Sequence, residues 1–308
     1  MLVHLETDFG GDPDDACALA MLLGWPGVEF VGITTCLDAA GNRAAYVHHV
    51  LALAGRQEIP VAAGPAASLT TDNMADPVIG DPRHWPLGLV PRPSSPGAAL
   101  DLLDVGIARG ATVVSIGPLT NLALLEARNG GTLGRAAVVM MGGWVDPAGM
   151  GLPAWGPEMD FNVQFDTAAA ESVFAAAGSL TMVGLPSTMS AHLRAVHLPR
   201  LRLAGSVGRL LADQSEAHGV DAGMTELGRS HSGLPVDLLN VHYDPVACAV
   251  AVGWDGAVIE ETRLVPTSGD GVLRFARSRN GRSTRLVTSV DGEAFSRVWL
   301  SAVEAIWG

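Results

Sequence analysis

Four carboxylates, Asp8, Asp12, Asp14 and Asp15, fall within eight residues near the start of the chain, separated only by Phe9, two glycines and Pro13. Like charges packed this closely raise one another's proton affinity and repel unless something positive sits among them. No Lys or Arg lies in residues 6–16. Oxygen ligands of this type suit a hard divalent cation, and metal binding is the chemistry that the spacing points to. A plainer reading covers part of the cluster: Asp14 and Asp15 open a helix, where carboxylates cap the first amides and complement the helix dipole. Capping does not account for Asp8 standing before Gly10 and Gly11 with another acidic group after them.

The acidic turn needs a scaffold. Residues 1–5 are apolar and read as a buried strand, residues 6–13 as a tight Gly-rich turn, and residues 14–24 as a helix. Further strands are expected at residues 28–35, 59–63, 112–116, 136–141 and 180–185, with helices at 42–54, 98–109, after 117–121 and at 167–177. This alternation predicts a single α/β domain over residues 1–308, a mostly parallel open sheet flanked by helices on both faces. Residues 198–218 read as one helix and 219–237 as mixed. Residues 241–252 read as an apolar helix opened by Tyr243-Asp244-Pro245, a capping Asp before a first-turn Pro. The tail holds β-like runs at 256–264 and 284–288 around a polar hairpin at 275–283, then a final helix at 293–306. Two Gly/Pro-rich stretches interrupt the pattern, 65–96 and 144–157; the longer fits a lid, a binding loop or a surface excursion.

In open α/β sheets, ligands bind outside the carboxyl ends of the strands. Asp8 and Asp38 follow the first two strands, Asp160 and Asn162 follow the fifth, and Asp244 opens a late helix, so residues distant in sequence can meet in one pocket. Their types are carboxylates and amides with no Cys/His cluster, which favours calcium or magnesium over zinc.

The totals narrow the class. The chain has 308 residues, 48% of them hydrophobic, and a formal net charge of -13, which argues against nucleic acid or an anionic membrane as partner. Cys17, Cys36 and Cys248 lie in apolar runs without C-x-x-C spacing, as expected of buried thiols in a reducing compartment. Residues 1–5 carry no basic lead and no stretch has the length of a spanning helix, so a cytoplasmic protein is expected.

Taken in order, the opening turn, Ile33-Thr34-Thr35, Gly117-Pro118-Leu119-Thr120-Asn121, Met141-Gly142-Gly143, Asp160-Phe161-Asn162 and Tyr243-Asp244-Pro245 resemble the nucleoside hydrolase family, the inosine-uridine preferring N-ribohydrolases. The resemblance spans roughly residues 2–254. It implies a Rossmann-like nucleoside hydrolase fold, a small-molecule nucleoside as substrate, and a homodimer or homotetramer. It also implies a calcium ion held by Asp8, Asp15, Asp244 and the main-chain carbonyl of Ile116. Asp14 would accept a hydrogen bond from the ribose, Asp160 and Asn162 would hold other hydroxyls, and Met141 would pack on the sugar. Asp8 would act as base toward the attacking water as the sugar becomes oxocarbenium-like.

The chain departs from the family pattern at four places. The opening turn is two residues longer, leaving Asp12 as an added ligand or a turn residue. An Asn expected after the second strand is replaced in position by Asp38, with Asn42 as the alternative. Glu-Phe-Asn is shortened to Asp160-Phe161-Asn162. The usual His-Asp is Tyr243-Asp244, with His242 one position early, so the donor to the leaving base is open between Tyr243, His242, His231, His218 and none. A non-catalytic metal- and riboside-binding protein on the same scaffold is the alternative reading. A magnesium phosphohydrolase ranks lower, because no Lys or Arg accompanies the acidic turn to meet a phosphate.

Overall fold

Residues 1–70 and 81–306 are described by the computed structural model, so part of the long Gly/Pro-rich stretch at 65–96 lies outside the described residues. The first half alternates β1 (Leu2–Thr7), α1 (Asp14–Gly24), β2 (Glu29–Thr35), α2 (Asn42–Leu53), β3 (Val61–Ala63), α3 (Ala98–Ala108), β4 (Thr112–Ser115), α4 (Thr120–Arg128) and β5 (Ala137–Met141). Then come α5 (Phe161–Phe165), α6 (Thr167–Ala176), β6 (Ser179–Val183), α7 (Leu185–Thr188), β7 (His192–Arg194), α8 (Leu198–Leu203), α9 (Gly205–Asp221), α10 (Met224–Ser230) and β8 (Leu238–Val241). The chain ends in α11 (Tyr243–Ala251), β9 (Ala257–Gly269), β10 (Val272–Arg277), β11 (Arg282–Val290) and α12 (Gly292–Ala305).

The main sheet runs in the order β10-β9-β11-β6-β5-β4-β1-β2-β3. From β3 to β11 the neighbours are parallel; only β9 pairs antiparallel, with β11 and β10. The strand order reverses between β1 and β4, which is the place where doubly wound sheets open a ligand crevice. Asp8 leaves β1 and Ile116 leaves β4 on the two sides of that point.

Apolar helices cover both faces. On one side α11 crosses β4 and β5 and packs on α1, which also meets α12; on the other, α3 lies over β1, β2 and β4 beside α4. Trp299 of α12 is fully buried, and its indole N–H donates to the Cys17 carbonyl of α1 at 3.1 Å, so an apolar ring and one buried hydrogen bond join the last helix to the first. Among the described residues, no helix is long and apolar enough to cross a membrane.

Four elements differ from the sequence expectation. β1 extends through Glu6 and Thr7 because both side chains find buried partners: Glu6 accepts from Ser115 Oγ at 2.7 Å and Asn121 Nδ2 at 3.0 Å, and Thr7 donates to Asp15. The single helix expected over 198–218 breaks at Ala204, since Gly205 takes a left-handed φ of 74° and Gly208 passes so near Leu201 that a Cβ there would sit 2.2 Å from its carbonyl oxygen. β10 begins ahead of the expected polar hairpin and takes in its first three residues; Leu273 and Phe275 are buried, with the exposed Arg274 between them. β7 and β8 form a separate antiparallel pair, placing residues 238–241 in a strand before α11.

Trp299→Ala removes the ring that joins α12 to α1 and should cost about 3–5 kcal/mol of stability, read as a lower midpoint in urea unfolding at an unchanged slope. Trp299→Phe, which keeps most of the apolar volume, should lose clearly less.

Candidate active site

The acidic turn lies at the mouth of the crevice. Gly10 turns the chain out of β1 at a φ of 104°, a conformation open to glycine at little cost. Asp12 then receives the amide of Asp14 at 2.8 Å and the side-chain amide of Asn240 on β8 at 2.5 Å, which fixes the longer turn against the neighbouring layer. α1 begins at Asp14, and α11 brings Asp244 in its first turn from the far end of the sequence. Each of Asp14, Asp15 and Asp244 places a carboxylate oxygen within 4.8 Å of one on each of the others.

These groups line a cavity of ≈ 450 Å³ together with Asp8, Asp12, Ile116, Met141, Asp160 and Asn162. Residues from six strand ends or helix starts thus share one space, as the sequence reading expected for all of them except Asp12, whose place was open. Asp160 is held between the two strands' worth of chain around it: it accepts from the amides of Gly143 at 2.5 Å and Val163 at 3.2 Å and caps α5. Gly143 must be glycine there, because a Cβ would stand 2.4 Å from the Met182 sulfur and its φ is 100°. Asn162 donates to the carbonyl oxygens of Ile116 at 3.1 Å and Met141 at 3.2 Å, tying the ends of β4 and β5 together. A carbonyl oxygen has two lone pairs, so Ile116 keeps one for another partner.

Burial dominates the electrostatics. Asp14, Asp15 and Asp244 are all pushed well above the usual carboxylate range, first by desolvation and then by neighbouring carboxylates: Asp12, Asp244 and Asp15 on Asp14, Asp8 and Asp12 on Asp15, and Asp15, Asp8 and Asp12 on Asp244. Asp8 is raised by burial, with the Arg43 guanidinium pulling the other way. Burial raises Asp160 to about 6, opposed by its two amide donors. Glu6, behind Asp8, is raised to about 8 by burial against the donors Ser115 and Asn121. Carboxylates with such proton affinity either hold protons or take a cation in their place.

Two expected site residues stand elsewhere. Asp38 does not line the cavity: it accepts from Thr35 Oγ1 at 2.8 Å and from the amides of Arg43 at 2.9 Å and Ala44 at 2.8 Å, securing the start of α2. Asn42, the alternative, opens α2 and is not in the wall either. His242 is 1% exposed and lies against the rings of Trp299 and Phe295, at 4.4 and 5.4 Å between centroids, outside the cavity. Burial holds its imidazole well below the usual range. Tyr243, one residue on, does line the cavity, and burial plus Asp12, Asp14 and Asp244 push its phenol up. His231 is engaged with Ser230 Oγ at 3.0 Å and the Leu227 carbonyl at 3.1 Å.

The sequence reading missed Arg43 and the apolar wall. Arg43 lines the cavity, donates to the carbonyls of Asp8 and Phe9, the latter at 3.1 Å, and sends its Nε to the Leu37 carbonyl at 3.3 Å. A cation therefore does accompany the acidic turn, brought from α2 rather than from the turn itself. Trp155, Met159, Phe161 and Leu185 supply an apolar side. Trp155 lies in the stretch 144–157, whose Gly/Pro content announced a loop but not which residue faces a ligand.

Comparison with known proteins agrees with this geometry. The family model for inosine-uridine preferring nucleoside hydrolase matches residues 3–297. A pyrimidine-specific ribonucleoside hydrolase RihA from Salmonella agona is 34% identical over 222 residues, covering 67% of this chain and 68% of that protein. Among solved structures, a purine-preferring ribonucleoside hydrolase from Gardnerella vaginalis superposes with a TM-score of 0.79 at 20% identity over 99% of both chains. An inosine-uridine preferring nucleoside hydrolase from Bacillus anthracis does so with a TM-score of 0.73 at 18% identity, again over 99% of both. With nearly its whole length matched and its acidic residues gathered at the sheet's switch point, the chain belongs to the inosine-uridine preferring nucleoside hydrolase family and is an N-ribohydrolase.

Proposed function

We propose that this enzyme cleaves the N-glycosidic bond of a ribonucleoside with the help of a calcium ion, using water as the nucleophile. The observation that carries the reading is the meeting of Asp14, Asp15 and Asp244 within 4.8 Å in a cavity that Asp8 and Ile116 also line. The donor set fits a hard cation: carboxylates and a main-chain carbonyl, with no thiolate or imidazole in the wall. Asp8, Asp15, Asp244 and the Ile116 carbonyl would hold the ion. When bound, it supplies positive charge among the carboxylates and makes a neighbouring water more acidic.

The remaining chemistry belongs to the chain. Asp14, Asp160 and Asn162 take the hydroxyls of the ribose, and Met141 packs on its face. Asp8 accepts the proton of the attacking water. As the bond to the base loosens, positive charge develops at the anomeric centre, and the fixed carboxylates stabilise it without having to reorganise. The apolar side formed by Trp155, Met159, Phe161 and Leu185 suits a planar base. The names of the relatives include both pyrimidine-specific and purine-preferring enzymes, so uridine, cytidine, inosine and guanosine form the substrate panel.

Ribose should be released from at least one member of that panel in calcium, the rate should collapse in excess chelator, and calcium should restore it. Asp8→Asn should lower kcat by about 10²–10⁴ with the protein still folded. No release from any nucleoside by calcium-loaded protein would overturn the reading.

A second test uses stability. The folded pKa values of Asp14, Asp15 and Asp244 lie above their unfolded ones. Calcium-free folded protein thus holds more protons than the unfolded chain, and its stability should fall as pH rises from about 4 upward. Calcium takes the place of those protons, so the fall should be reduced in its presence, with a higher Tm at neutral pH. Thermal melts across pH, with chelator and with calcium, check this; identical curves would contradict the proposed cage.

A further inference from the structure

A second chamber of ≈ 420 Å³ adjoins the acidic cavity, and Asp12, Trp155 and Tyr243 stand in the walls of both. Its far side is built from the end of α9 and from α10, whose His218, Met224 and Leu227 all line it. The ring of His218 makes no hydrogen bond among the described residues. Its Nε2 stands 4.0 Å from Asp12 Oδ2, within ion-pairing range but beyond a hydrogen bond, and its side chain is 16% exposed.

We propose that the departing nucleobase lies at the threshold between the two chambers, between Trp155 and Tyr243, and that His218 donates the proton it requires. The inference rests on the hydrolase reading above. When the N-glycosidic bond breaks, its electron pair leaves on the base nitrogen while a C–O bond forms from water to the anomeric carbon. The water's proton goes to Asp8 and from there to solvent, the base takes a proton from His218, and solvent returns a proton to the partly buried imidazole. The overall change is nucleoside plus water to ribose plus neutral base.

The other donors in the two walls are already engaged. Asn240 donates to Asp12 at 2.5 Å, Asn162 to the carbonyls of Ile116 and Met141, Ser230 to the Leu227 carbonyl at 3.0 Å, and Arg43 to the carbonyls of Asp8 and Phe9. The indole N–H of Trp155 is no acid. Tyr243 is the one competitor, and it is tested alongside. The charged groups facing His218 are Asp12 from the opening turn and Glu226 from α10. Both are acidic, and Asp12 stands 4.0 Å from the ring. Asp12 thus serves as the positioning residue for the donor, and the amide of Asn240 holds Asp12 in place.

The experiment compares two leaving groups in the full-length, calcium-loaded enzyme: uridine and inosine, whose bases need a proton, and p-nitrophenyl β-ribofuranoside, whose phenolate departs without one. His218→Gln should lower kcat/KM on the nucleoside by about 10²–10⁴, and by at least about 30-fold more than on the aryl riboside. Tyr243→Phe should move both substrates together. Turnover of the aryl riboside also shows that each variant is folded. The proposal is overturned if His218→Gln lowers both substrates equally, if it spares the nucleoside, or if the selective loss follows Tyr243→Phe instead. Cleavage of the aryl riboside alone by the wild type would remove the assigned donor and leave the sugar site standing. Cleavage of neither would remove the hydrolase reading itself.

Discussion

Carboxylates buried side by side in a low-dielectric site repel one another, and everything around the opening turn is arranged around the burial of Asp8, Asp14, Asp15 and Asp244 in one place. The free-energy penalty for a charged oxygen without a partner is several kcal/mol, so the site must either protonate or be compensated. Part of the compensation is visible in the chain. Thr7 donates to Asp15, the amide of Asp15 meets Asp14 at 3.1 Å, and Arg43 sets a positive group against the main chain of the turn. None of these supplies enough positive charge for four acids, and the raised proton affinity of the cluster is the measure of what is still missing. On the proposed reading a cation fills that deficit, and catalysis and folding would then depend on the same electrostatic balance.

The fold delivers these groups because of where the sheet changes direction. β1 and β4 are neighbours at the reversal of strand order, and their carboxyl ends diverge into helices on opposite faces. That leaves a gap into which the turn after β1, the carbonyl of Ile116 and the start of α11 project. Asn162 bridges the ends of β4 and β5, and Asp160 accepts from the amide of Gly143, so the wall around Asp160 and Asn162 is as firmly held as the acidic turn opposite. α12 supports the arrangement from behind through Trp299, whose hydrogen bond to Cys17 lies within the first helix that carries Asp14 and Asp15.

Much of this was legible in residue order. Alternating apolar runs announced the parallel sheet, and the density of Asp in the opening turn announced an acidic cluster, because both are local patterns with a direct physical cause. What could not be read was pairing at a distance. Arg43 carries no local mark: it is one charged residue in an ordinary helix start, and only the tertiary fold brings its guanidinium to the carbonyls of Asp8 and Phe9. Asp38 misled for the same reason. It follows a strand, as a ligand-binding residue would, yet three donors from the end of β2 and from α2 take up its oxygens. The hairpin of β9 and β10 was obscured because the exposed Arg274 and Arg277, with the Ser/Arg/Gly run that follows, read as a polar loop.

The one-residue offset between His242 and Asp244 shows how finely helix geometry decides the chemistry. Successive residues of a helix point about 100° apart, so side chains one position apart cannot share a target. With Asp244 directed into the acidic cluster, Tyr243 reaches the cavity and His242, at the N-cap, turns back into the aromatic core against Trp299 and Phe295. There it is buried as a neutral ring, and its contribution is to packing. An enzyme with its histidine in that position needs another source for any proton that the leaving base takes. Asp12 of the opening turn stands 4.0 Å from His218 of α9, so on the proposed assignment the turn and the start of α11 together decide how the base is met.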